Sequence, residues 1–225
     1  MAVSRLESAY LRVERGRQHL GRLRRLCDDV CDGYADRLLK VYPPIVVDGG
    51  QIQGFVDSKH PEPEIPPRVA ILIGEALYNF RAALDYLVCA LSQMDTPHLS
   101  GGRDRRNQFP IEHSQHGFRS RRRTFLGGVS DANVLEIERF QPFRGCSWTA
   151  TLAALSNRDK HNDLVIVWQG LEFSFEERES PAPMKMVVTP QLTLGRDLPL
   201  PGVIENIAAE VLSALELFRP RVEIT

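Results

Sequence analysis

"RVAILIGEALYNFRAALDYLVCALSQM", residues 68–94, is a long apolar stretch without a proline. It is apolar nearly all round, as a helix enclosed by neighbours must be. It therefore predicts the central helix of a mainly helical core. Two lines of polar residues interrupt that surface. At 100° per residue, Arg81, Asp85 and Ser92 fall on one line, and Glu75, Asn79, Tyr86 and Gln93 on another. A core helix carries such lines only where neighbours satisfy them. Arg81 and Asp85 are spaced for an ion pair, but base before acid is the weaker order. If buried, the pair needs further hydrogen bonds to offset desolvation.

The flanking segments read as follows. Residues 4–40 repeat apolar positions in steps of three and four, which predicts one long amphipathic helix or two colinear ones. Gly16 and Gly21 should weaken it locally. Residues 41–58 place Val and Ile runs around Asp48-Gly49-Gly50, a β-hairpin pattern. Residues 94–112 read as a loop, and 113–125 as a short basic helix. Gly127-Gly128 punctuates the chain before a helix capped by Ser130 or Asp131 and ended by Gln141-Pro142-Phe143. A helix over 146–157 precedes strands within 164–195, the second interrupted by Pro190. Residues 201–218 close the chain as an amphipathic helix. The expected fold class is α+β: one domain over 1–225, mainly a helical bundle, with a small antiparallel β-sheet and a β-hairpin insertion.

The length suits a single domain with a full core. No run approaches 18 apolar residues, so no membrane span is expected. The first twenty residues carry charges throughout, which is unlike a secretory signal, and the expected location is the cytoplasm. Cys27, Cys31, Cys89 and Cys146 form no disulfide framework and read as reduced core thiols. Cys27 and Cys31 would need two more ligands to hold zinc, and His113 with His116 a third. No spacing rule supports a metal set of Asp85, Asp159 and His161. No metal and no cofactor are expected.

The net charge of −1 hides a segregation. Residues 103–123 hold seven arginines against Asp104 and Glu112, a balance of +5. Residues 162–225 hold ten acids and five bases, a balance of −5. The middle segment is therefore suited to an anionic partner, RNA or another polyanion. Arg119, Arg121, Arg122 and Arg123 in a short helix match phosphate contact, which needs charge and no base readout. The competing reading is a solvated segment with surface ion pairs to the acidic C-terminal part. Phe109, Phe118 and Phe125 could stack on bases, but fit better as anchors to the core.

A second polar segment is "SNRDKHNDLVIVW", residues 156–168. It joins a helix-like run to a strand-like run and concentrates an amide, a base, an acid and an imidazole. One reading is structural, with Asn157 and Asp159 making the turn and His161 bonding Asp85 or a carbonyl. The other gathers Arg81, Asp85, Asp159, Lys160 and His161 into a polar pocket, with Asn157 as a binding group. There His161 would be the acid–base group. Arg81 and Lys160 would stabilise a phosphoryl oxyanion, and the two aspartates would orient them.

Two resemblances add to this. The ordered segments "GEALYNFRAALDYLV", "QFPI", "QPF" and "LSNRDKHN" resemble an uncharacterised bacterial family with N-R-x-A-L-D, F-P-I, Q-P-[FY] and N-x-D-K-H segments. The likeness covers roughly residues 5–175, and implies no particular reaction. The helical core also resembles HEPN domains, helical bundles often found as ribonucleases, with Arg, four to six intervening residues and then His on a core helix at a dimer interface. That resemblance implies a HEPN-like bundle, a homodimer and metal-independent RNA cleavage. Arg81 occupies the Arg position; the His position holds Tyr86, a poor base at neutral pH, so His161 would have to replace it in space. The alternative is a non-catalytic interaction or scaffold protein. Its polar set would be a buried structural network, and its long N-terminal helix would form the homodimer.

Overall fold

The structure is a computed structural model describing residues 4–41, 46–48, 51–53, 64–97, 106–161, 166–176, 185–194 and 198–223. Six α-helices and two small antiparallel sheets make up those residues. The helices are α1 (Arg5–Val41), α2 (Arg68–Asp95), α3 (Gln115–Phe125), α4 (Asp131–Arg139), α5 (Ser147–His161) and α6 (Gly202–Glu223). The strands are β1 (Val46–Asp48), β2 (Gln51–Gln53), β3 (Ile166–Glu176), β4 (Lys185–Leu194) and β5 (Leu198–Pro199).

Helix α2 is the centre of the core. Pro66 and Pro67 stand before it, where a missing N–H is harmless and φ is already helical. Ile73, Leu77, Phe80, Leu84, Leu87 and Leu91 lose all solvent exposure. Helix α1 runs along it, α6 packs on both, and α5 leans on α2 and α6. The close approach of α1 depends on Gly16. A Cβ there would lie 2.4 Å from Cε1 of the fully buried Phe80. The residue expected to weaken the helix is thus the one that lets the two helices touch. Its propensity penalty of about 1 kcal/mol is offset by packing.

Strands β3, β4 and β5 form one antiparallel sheet in that order, and β1 pairs with β2 as Val46↔Gln53 to Asp48↔Gln51. Pro190 does not interrupt its strand. It sits within β4 opposite Leu171, where the register shifts between Trp168 and Leu171. A bulge of this kind tolerates a residue that cannot donate to the ladder.

The segment expected to turn after residue 157 instead stays helical to His161. Arg158, Asp159 and Lys160 are polar but compatible with a helix, and no proline or glycine stops it. Gln141-Pro142-Phe143 does end α4, through a short 3₁₀ turn at Pro142–Arg144 and a left-handed Gly145 (φ 88°). Among the described residues, no helix is long and apolar enough to cross a membrane.

Candidate functional site

Both polar lines of α2 are satisfied, each by a different neighbour. The line of Glu75, Asn79 and Tyr86 faces α1. Arg12 donates to Asn79 Oδ1 at 3.2 Å, and its guanidinium lies 5.6 Å from the Tyr86 ring centre. Buried His19 approaches Glu75 at 2.8 Å. Burial pulls the His19 imidazole below its ordinary range, and the Glu75 carboxylate only partly opposes this. Burial is also the main reason that Cys27 and Cys31 are raised, to about 12 and about 11. Both remain thiols at neutral pH.

The line of Arg81 and Asp85 clamps the extended segment before α3. Asp85 Oδ1 accepts the Phe109 backbone N–H at 2.8 Å, and Arg81 Nη2 donates to the Phe109 carbonyl. The two side chains are 3.8 Å apart and only partly exposed. Burial lowers the Arg81 pKa, and Asp85 works against that. One backbone position of the F-P-I segment thus supplies a hydrogen bond to each side chain of the pair. The Phe109 ring itself is fully buried.

Gln141 holds the same segment from the other side. It is fully buried, its Nε2 donates to Pro110 O at 2.8 Å and to Ile137 O at 3.1 Å, and its Oε1 accepts from Glu112 N at 3.0 Å. Sequence reading assigned Gln141 no role. The available signal was an amide set inside the otherwise apolar run Phe140-Gln141-Pro142-Phe143. Gln141→Leu is expected to lower stability by about 2–3 kcal/mol, because the Pro110 carbonyl and the Glu112 N–H lose their partner while Ile137 O keeps the Phe140 N–H. Urea unfolding monitored by circular dichroism measures this, and an unchanged midpoint would show that water replaces the amide.

Further along α2, Ser92 and Thr96 donate to the Gly127 and Gly128 carbonyls, and Asp95 accepts from Ser130 N at 2.7 Å. The helix therefore positions every turn on either side of α3.

A cleft of about 290 Å³ opens beside the clamp. Its walls are Arg81 and Asp85 of α2, Gln108 to Glu112 in part, Arg121 and Phe125 of α3, and Ala153, Ser156 and Asn157 of α5. Asn157 thus shares a cavity with the Arg81–Asp85 pair. The buried Ser156 Oγ has no hydrogen-bond partner among the described residues. Asp159 lies elsewhere: its carboxylate sits over Gly74, where a Cβ would come within 2.4 Å of Oδ1. Gly74 is about two helical turns from Arg81. Lys160 and His161 close α5, and their side chains lie outside the described residues. Tyr86 is not part of the cleft wall.

Helix α3 forms the rim. Ser114 caps it by accepting from Gly117 N at 3.1 Å, and Phe118 is its one fully buried side chain. Arg119, Arg121, Arg122 and Arg123 are exposed. Arg121 pairs with Glu112 at 3.3 Å and lies 5.0 Å from the Phe125 ring centre, and Arg122 pairs with Asp131 at 2.5 Å. Neither partner belongs to the acidic C-terminal part. Arg119 and Arg123 have no ion pair among the described residues. No protein-family model, curated protein or solved structure matches the chain.

Proposed function

We propose that this protein is a HEPN-like helical protein that binds RNA or a similar polyanion through the exposed arginines of α3. The observation that carries this reading is the separation of roles around the cleft. Arg81 and Asp85 are occupied in holding backbone, whereas the exposed Arg119, Arg121, Arg122 and Arg123 project from one capped helix. Phosphates need such charge at a fixed position, without base-edge contacts. Arg122 would exchange the exposed Asp131, and Arg121 the half-buried Glu112, for phosphate, a modest loss because pairs with an exposed arginine contribute little. Fluorescence anisotropy of a labelled RNA oligomer at low salt tests the reading. Binding is expected, and RNA that stays free would remove it.

A second reading, metal-independent RNA cleavage, is favoured by one observation. Asn157 and Ser156, whose Oγ has no hydrogen-bond partner among the described residues, line the same cleft as Arg81 at the polar end of α5. In this reading His161 takes the 2′-OH proton, Lys160 and Arg81 stabilise charge, and Asp85 and Asp159 orient them. Tyr86 contributes little, because its ring lies under Arg5 and Arg12. With a chelator present, His161→Ala is expected to slow cleavage by roughly 10²–10⁴ and Tyr86→Phe to leave it unchanged. Cleavage by the His161→Ala protein at the wild-type rate, or only with an added divalent metal, would rule out these roles.

A further inference from the structure

Helix α1 carries a segregated charge pattern on its solvent side. Residues 12–25 hold six arginines and one glutamate, a balance of +5, and residues 26–36 hold four aspartates and no base. The exposed positions Arg15, Gln18, Arg22, Arg25, Asp29, Asp32 and Asp36 follow one another in alternating steps of three and four. They form a single stripe with a period of 3.5, the repeat that keeps one face turned toward a neighbouring helix. It lies opposite the buried Val13, Leu20, Leu23 and Cys27, which face the core.

Within the stripe Arg15 donates to Gln18 Oε1 at 3.2 Å, but its bases and acids do not pair with one another among the described residues. Each base precedes its acid, the weaker order for pairing within a helix. Arg22, Arg25, Asp29, Asp32 and Asp36 make no ion pair among the described residues. The pattern is instead complementary to its own reverse. Laid antiparallel about a point midway between Arg25 and Asp29, two copies bring Arg25 to the partner's Asp29, Arg22 to the partner's Asp32 and Gln18 to the partner's Asp36. Two-fold symmetry repeats each contact. The antiparallel arrangement also sets the two helix dipoles head to tail.

We propose that this face of α1 is the contact surface for a second copy of the chain, paired antiparallel through these charges. The inference is independent of the arginines of α3. An interface of exposed ion pairs is screened by salt. Light scattering should therefore give a dimer mass at about 50 mM salt and a monomer mass at about 500 mM salt. Two charge-reversed proteins make the test specific. Arg22→Glu with Arg25→Glu leaves Arg15 as the only base of the stripe, and Asp29→Arg with Asp32→Arg leaves Asp36 as its only acid. Each alone is expected to be monomeric at low salt, and an equimolar mixture to form a mixed dimer. Circular dichroism checks that both remain folded, and all four positions are exposed. A wild-type monomer at low salt overturns the proposal, as does a dimer that survives both reversals. If the monomer instead loses RNA affinity on Arg22→Glu with Arg25→Glu, the face belongs to a nucleic acid and not to a second copy.

Discussion

Asp85→Ala is expected to lower stability by about 2–4 kcal/mol, one of the largest single-residue effects in the molecule. Two losses combine. The Phe109 N–H loses its acceptor at 2.8 Å, and the partly buried Arg81 loses the carboxylate that opposes its desolvation. The segment that both residues hold also carries the fully buried Phe109 ring, so loosening the clamp exposes apolar surface. For a chain of this size, roughly 2–4 °C of melting temperature accompanies each kcal/mol, so a fall of roughly 5–15 °C is expected. Asp85→Asn keeps an acceptor for Phe109 and removes only the charge, and should lose about 1 kcal/mol. A melting temperature for Asp85→Ala equal to that of the wild type would show that the clamp contributes nothing to the fold.

Replacing Arg119, Arg121, Arg122 and Arg123 with Ala is expected to weaken RNA binding at low salt by at least roughly tenfold. It should also flatten the dependence of affinity on salt. Each phosphate contact on a single strand contributes about 0.7 to the slope of log affinity against log salt, so four lost contacts remove up to about 3. Stability should change little, because all four side chains are exposed and none is part of the core. Affinity titrations at several salt concentrations separate this from misfolding. An unchanged slope with lower affinity would point to a damaged fold and not to lost phosphate contacts.

How far residue patterns reach in this chain depends on what kind of group completes each contact. The central helix was readable because Val69 to Leu91 is apolar on almost every side. Its polar residues were readable as a demand for partners. The partners themselves were not, because Asp85 and Arg81 are met by the N–H and C=O of Phe109. Every residue except proline carries both groups, so they leave no mark in a sequence. The polar run after Leu155 looked like a turn for a related reason. Its residues are common in turns, yet equally suited to the exposed end of a helix, and α5 continues to His161. Gly16 illustrates the same limit: local propensity marks it as a weakness, and only its contact with Phe80 explains its presence. The arginines of α3 were visible as charge, but their pairing with Glu112 and Asp131 depends on how the neighbouring segments fold around them.

The location of the polyanion-binding face is tested most directly by hydrogen–deuterium exchange with and without a single-stranded RNA oligomer. The expected result is protection of residues 115–125 on RNA binding, with the α2 peptide around Arg81 and Asp85 unchanged because its backbone is already held. RNA-dependent protection confined to other segments, with 115–125 exchanging as in the free protein, would contradict it.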